Sequence, residues 1–316
     1  MNELTMCSVY HSSGSKRLLE LNREFTETLN TSRAWNWLVA DNTPLGYTDH
    51  VDPKKFTVIK AMPFTELLKT GLSEELRAVW PSIHHGSAIN LSLPHIHTRF
   101  ALILDSDFYI VVPEWIEKVI THMKKNKIAL MGVPWHPRWW KKIRNFPAHH
   151  ALFIDGEQIP FTELDFLPQY TDSKRPPRRK TYNIPCMNMV SARRLVGGSR
   201  DTSYALYEKY GHGTVRVETL IPVFKFPLER RFFMRALKNC MRYVIPDRYS
   251  YTPREGTYSP VGFKERGYFD AGHEGWEEFI WNDQPFGFHM RRASVGKNRD
   301  QEEEFATLKR GLQSFV

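Results

Sequence analysis

The sequence predicts a mixed α/β fold around a mostly parallel central sheet flanked by helices, and three observations carry that prediction. The chain opens in the order strand, helix, strand, the pattern of a parallel α/β sheet. Each early apolar run ends in a polar residue: His11 after the first, Asp41 after the second, Asp105 after a later one. The run FALIL at 100–104 is short, apolar and bounded by charges, which reads as a buried strand.

Taken in order, residues 4–10 (LTMCSVY) form the first strand, followed by the polar loop 11–15. Residues 16–30 have helical spacing, with Leu18, Leu21, Phe25 and Leu29 on one face. Residues 35–40 (WNWLVA) make a second strand and 56–60 a third, and 65–78 reads as a helix. The segment HHGSAIN at 84–90 leads into the apolar stretch 100–112. Residues 113–125 predict a helix with Pro113 in its first turn, because proline suits that position. Trp115, Val119 and Met123 share its face, and a strand follows at 128–133.

Residues 134–150 (PWHPRWWKKIRNFPAHH) are aromatic and basic, without clear periodicity. Trp135, Trp139 and Trp140 can stack on a sugar or nucleobase, or simply pack a long loop. The basic run 174–180 reads as a solvated loop. Residues 202–210 predict a helix ended by Gly211, and 215–223 are strand-like. In 229–245, Arg231, Arg235, Lys238 and Arg242 share one face while Phe233, Leu237, Cys240 and Val244 line another. Such a helix packs on its own domain or lies in an anionic membrane interface. The acidic run 300–304 opens a terminal helix through 312.

The chain has 316 residues, 41% hydrophobic and 25% charged, which suits a large globular domain, or a domain with an extension, and excludes a disordered one. The 44 Lys and Arg exceed the 35 Asp and Glu, giving +9 and pointing to an anionic partner: nucleic acid, a phosphorylated small molecule or an acidic membrane. Cys7, Cys186 and Cys240 are odd in number and far apart, so neither a disulfide framework nor a zinc motif is indicated. No basic and apolar leader opens the chain and no run approaches a spanning length, so a cytoplasmic protein, soluble or peripheral to a membrane, is expected.

The chemistry concentrates at Asp105-Ser106-Asp107. Two carboxylates one residue apart at the end of a buried strand are costly without a partner. A divalent cation shared with a phosphate-bearing ligand compensates them; alternatively Asp105 caps a backbone group and Asp107 faces water. Ligands in parallel α/β sheets sit at the carboxyl ends of strands, where His11, Asp41 and Asp105 all fall. The pairs His84-His85 and His149-His150, and His95 with His97, do not match a zinc-enzyme spacing. His289 stands between apolar and basic neighbours.

The pieces TMCSVYHSS, WLVADNTP, HHGSAIN, ALILDSD, RDTSYALYEKYG and FHMRRAS, in that order, resemble a family 2 glycosyltransferase of the GT-A fold. The resemblance covers roughly 4–212, with an echo near His289. It implies a Rossmann-like catalytic domain over 1–228, its nucleotide-sugar half about 1–112 and its acceptor half about 113–228, with a C-terminal extension at 229–316. It implies a hexosyltransferase-type enzyme using a nucleotide-sugar donor, a UDP-sugar first and GDP or dTDP next, with Mn²⁺ or Mg²⁺. Asp105, Asp107 and His289 would hold the metal. Tyr10, His11, Asp41, Asn90, Asp105 and Arg291 would contact the donor, with Asp41 at the nucleobase. Asp201 would be the general base of an inverting transfer onto a glycan or lipid-linked acceptor at the cytoplasmic face of a membrane, as in polysaccharide assembly.

Asp201 also reads as an N-cap of the helix that follows it. A sugar-phosphate nucleotidyltransferase is the first competing class, although such enzymes carry a richer phosphate loop than HSSGSKR. A basic nucleic-acid-binding protein using 134–144 is the non-enzymatic alternative, without a recognisable nucleic-acid motif. A catalytically silent GT-A module is the third.

Overall fold

A computed structural model describes residues 2–61, 80–139, 142–143, 145–168, 201–224, 256–290 and 301–316. The expected helix at 65–78, the basic run 174–180, the amphipathic segment 229–245, Trp140, Arg291 and two cysteines, Cys186 and Cys240, lie outside the described residues.

Strand β1 is Leu4–Tyr10, followed by helix α1 at Ser13–Leu29, β2 at Trp35–Asp41 and β3 at Thr57–Lys60. Helix α2 runs Trp80–Ser92, β4 Phe100–Leu104, β5 Phe108–Ile110 and helix α3 Trp115–Asn126. Then come β6 at Leu130–Pro134, β7 at Pro147–Asp155, α4 at Tyr204–Tyr210, β8 at Val217–Thr219 and β9 at Ile221–Pro222. The chain closes with β10 at Glu277–Trp281, β11 at Gln284–His289 and α5 at Gln301–Gln313.

Seven strands form the main sheet in the order β3-β2-β1-β4-β7-β6-β8. The pairings β1–β2, β2–β3, β1–β4 and β6–β8 are parallel, and β7 alone runs against its neighbours β4 and β6. The mostly parallel α/β expectation is therefore met. Strands β1, β4, β6 and β7 are buried along their whole length, as a sheet covered on both faces requires. A second sheet, β5-β11-β10-β9, is antiparallel.

The stretch 100–112 is thus not one strand. It leaves the main sheet at Leu104, turns through Asp105-Ser106-Asp107 with Phe108 N–H donating to the Asp105 carbonyl at 3.1 Å, and enters the second sheet as β5. The acidic turn joins the two sheets.

Helix α1 starts with reciprocal caps: Ser12 Oγ accepts from Ser15 N–H at 3.3 Å, and Ser15 Oγ accepts from Ser12 N–H at 3.1 Å. Helix α3 begins two residues later than expected. Pro113 lies before its N-cap, Glu114, which has a φ of 53°. That backbone turn aims the Glu114 carboxylate at the N–H groups of Thr31 and Ser32, just past the end of α1.

The segment at 134–150, expected to lack regular structure, ends in β7. The apolar run 151–154 gives the same buried-strand signal as 100–104 and pairs with it, Leu104 opposite Ala151. The C-terminal segment set apart at 229–316 is, in its described parts, built into the same core. Phe305, Leu308, Leu312 and Phe315 join the cluster containing Leu4, Met6 and Trp115, and the Arg17 guanidinium lies 3.7 Å from the Phe305 ring centre. Among the described residues, no helix is long and apolar enough to cross a membrane.

Candidate functional site

Register alone assembles the centre of the site. Because Leu104 pairs with Ala151, the next residue, Asp105, faces His150, and Asp105 N–H donates to the His150 carbonyl at 3.0 Å. Because Phe108 pairs with His289, the end of β11 lies beside Asp107, whose carbonyl accepts from Met290 N–H at 3.0 Å. One sheet supplies His150 and the other His289, and the acidic turn stands between them.

The side chains converge accordingly. His150 Nδ1 lies 2.8 Å from Asp105 Oδ2, and His289 Nε2 lies 3.7 Å from the same oxygen and 3.1 Å from Asp107 Oδ1. On the other side of Asp105, His85 Nε2 of α2 is 3.3 Å from Oδ1. The His149 and His150 rings are 4.2 Å apart, and Trp135 stands edge-on to His150 at 4.5 Å. Behind His289, Glu277 places Oε2 3.6 Å from Nδ1, and its Oε1 accepts from Trp139 Nε1 at 2.6 Å. Both tryptophans are therefore tied into the wall of the site.

Burial pushes the Asp105 carboxyl up, but the imidazoles around it, with hydrogen bonds from His150 and His85, outweigh it and hold the group well below the usual carboxylate range. For Asp107, burial is likewise outweighed, here chiefly by His289. Burial, reinforced by His150, holds the His149 imidazole well below its ordinary value, so it is neutral at neutral pH. Ionised carboxylates and a neutral imidazole are the forms that bind metals.

These residues line a cleft of about 770 Å³ at the carboxyl ends of β1 and β4. Three carboxylates, Asp105, Asp107 and Asp201, and six of the chain's 13 histidines face it. Among the described residues its lining holds no lysine or arginine. The donors fit a cation by a direct test. Asp105 Oδ1 and His85 Nε2 are buried 3.3 Å apart and have no hydrogen-bond partner beyond each other among the described residues. Asp105, His150 and His289 present ligating atoms within 4.8 Å of one another. Asp107 reaches this group through His289.

The other expected site residues divide. His11 lines the cleft, and so does Asp201. Asp201 is not the cap of α4: that position is Ser203, with a φ of 73° and no side-chain cap, so the N-cap alternative is corrected. Asp201 instead pairs with Lys142 and accepts from Thr202 N–H at 2.9 Å. Burial raises its carboxyl, and Lys142 more than reverses that, leaving it ionised.

Tyr10, Asp41 and Asn90 are not brought into the cleft lining. Tyr10 is fully buried, its hydroxyl 3.2 Å from His50 Nδ1. Asp41 has both oxygens engaged, one by Thr43 and the other by Lys60 Nζ at 2.9 Å and His50 Nδ1 at 3.1 Å. Its neighbour Asn42 faces the cleft instead.

Asn90 braces a loop: it accepts from Phe166 N–H at 2.9 Å and donates to Asp165 at 2.8 Å. One helical turn earlier, a Cβ on Gly86 would sit 2.4 Å from the Phe166 carbonyl oxygen, so the glycine permits the same approach. The Gly-to-Asn segment therefore carries a loop on one face, while Ser82 and His85 face the cleft.

His85, His149 and His150 were missed as site residues. The available signal was two histidine pairs, one flanking a buried strand; zinc-motif spacing could not find them because the donors come from different elements.

No protein-family model matches the chain, and no curated protein sequence matches it. Solved structures are similar at low identity. A mannosyltransferase, PcManGT from Pyrobaculum calidifontis in complex with GDP-Man and Mn²⁺, is 11% identical over 52% of this chain and 47% of that one, with a TM-score of 0.35. TarS of S. aureus is 11% identical over 55% and 32%, with a TM-score of 0.33. Mouse xyloside xylosyltransferase 1 is 11% identical over 51% and 70%, with a TM-score of 0.30. The chain spans about half or less of the first two.

Proposed function

We propose that the chain is a metal-dependent, inverting glycosyltransferase of GT-A type that moves a sugar from a nucleoside-diphosphate donor to a hydroxyl acceptor. The observation that carries this reading is the convergence of Asp105, Asp107 and His289, from two sheets, at the carboxyl ends of parallel strands in a cleft with Asp201 on its wall. A diphosphate has no lysine or arginine to meet in the described lining, which favours a cation between it and the carboxylates.

Asp105, Asp107 and His289 would hold that cation, joined by His150. When bound, it supplies electrostatic stabilisation of the charge that develops on the leaving diphosphate. The start of α1 brings Ser12 and Ser15 to the same space. Trp135 offers an apolar wall for a sugar ring.

Asp201, kept ionised by Lys142, accepts the proton of the acceptor hydroxyl as that oxygen attacks the anomeric carbon. A single base and in-line displacement give inversion. The donor is a UDP-sugar, with GDP- and dTDP-sugars as the other candidates. The acceptor is a glycan or lipid-linked sugar, reached by a peripheral, cytoplasmic enzyme whose 229–245 segment meets anionic lipid.

The test is release of nucleoside diphosphate from a panel of UDP-, GDP- and dTDP-sugars with Mn²⁺ or Mg²⁺. One donor should turn over only with metal, and Asp201→Asn should slow it by about 10²–10⁴-fold with donor affinity unchanged. Metal-independent turnover, or full activity in Asp201→Asn, contradicts the mechanism.

A further inference from the structure

The donor site uses one face of Asp105 and leaves the other unexplained. Oδ2 faces His150 and His289, whereas Oδ1 turns toward His85. Asp105, His85 and His149 form a second group whose ligating atoms lie within 4.8 Å of one another.

Oδ1 and His85 Nε2 are both buried and face each other at 3.3 Å, with no further hydrogen-bond partner among the described residues. A buried polar atom left unsatisfied is destabilising, and a charged one more so. Two donors bound at about 2.1 Å to one ion, at tetrahedral or octahedral angles, stand roughly 3.0–3.4 Å apart. The observed 3.3 Å falls in that interval.

His149 is fixed as metal-binding histidines commonly are. Its Nδ1 lies 3.3 Å from Ser203 Oγ, leaving the other ring nitrogen as the ligand atom. The three donors come from α2, β7 and the end of β4, so the fold holds them in place.

We propose that the Asp105 carboxylate bridges two cation sites, and that His85 and His149 complete the second, which binds a divalent transition ion of the zinc and cobalt class. Two imidazoles and one carboxylate suit such an ion better than Mg²⁺ or Ca²⁺. Asp105 and Asp107 face the cleft without a lysine or arginine in its described lining, whereas the third carboxylate, Asp201, is paired with Lys142. This site requires no nucleotide, but it shares Asp105 with the cation site of the transferase reading and rests on that reading for the first of the two ions.

The experiment is a Co²⁺ titration of the full chain after chelator treatment, followed by calorimetric stoichiometry and visible absorption. The expected result is two ions per chain, with His85→Gln saturating at one and His289→Gln also at one. Saturation of the unmutated chain at one ion or none overturns the proposal, as do two ions in His85→Gln. The unmutated stoichiometry decides even if a variant misfolds. Two ions without nucleoside-diphosphate binding would refute the transferase reading alone; one ion with nucleotide binding intact would refute the second site alone.

Discussion

Asp105 is held from both sides by strand register, with His150 opposite it on β7 and His289 arriving from the second sheet. The roles proposed for it, for Asp107 and for His289 rest on the D-x-D triplet at 105–107 and on the family resemblance near His289. Asn90 is different. The family resemblance implied a donor contact for it, yet its amide binds the 165–167 loop. Asn90→Ala removes the acceptor of the Phe166 N–H and should cost about 1–3 kcal/mol in denaturant unfolding while leaving nucleotide affinity unchanged. A large loss of affinity at unchanged stability would instead place Asn90 at the ligand. A linear pattern gives the spacing of 86 and 90 but not which helix face meets the cleft. The same limit explains Asp41, whose place at a strand end was legible while its engagement by Thr43, Lys60 and His50 was not.

Between elements, the join of α1 to α3 illustrates electrostatics set by backbone geometry. The Glu114 carboxylate accepts from the hydroxyls and N–H groups of Ser32 and Thr31, which lowers its pKa from 4.5 to about 2. A carboxyl whose folded pKa is depressed contributes stability above its unfolded value and loses it as pH falls through the folded one. The stability advantage of the native chain over Glu114→Gln should therefore be full above about pH 4.5 and shrink toward pH 2. Thermal melts across that range check it; a pH-independent difference would contradict the assignment. Strands β1, β2 and β4 were legible because each is an apolar run with a polar stop. Strand β7 carried a similar run at 151–154 but stood behind a tryptophan- and lysine-rich segment that masks any periodicity.

The whole molecule places its site where two sheets meet, and its C-terminal helix shares the main core. Leu308 is fully buried in that core, so Leu308→Ala should cost about 2–5 kcal/mol. It should also move one cooperative transition that reports on the N-terminal strands as well. Two transitions, only one of them shifted, would mean that the C-terminal part unfolds independently of the rest. No local pattern marks this integration, because Phe305, Leu308 and Leu312 read as an amphipathic helix whatever they pack against. The second sheet was equally hidden: β5 is three residues long and finds its partner β11 more than 170 positions later. The central claim is that this junction is a cation-dependent nucleoside-diphosphate site. Calorimetric titration of UDP, GDP and dTDP, with and without Mn²⁺, tests it directly when repeated on Asp107→Ala. The account predicts that one diphosphate binds only with metal and that Asp107→Ala abolishes the binding. Absence of binding by all three with Mn²⁺ present, or equal binding in the variant, would contradict it.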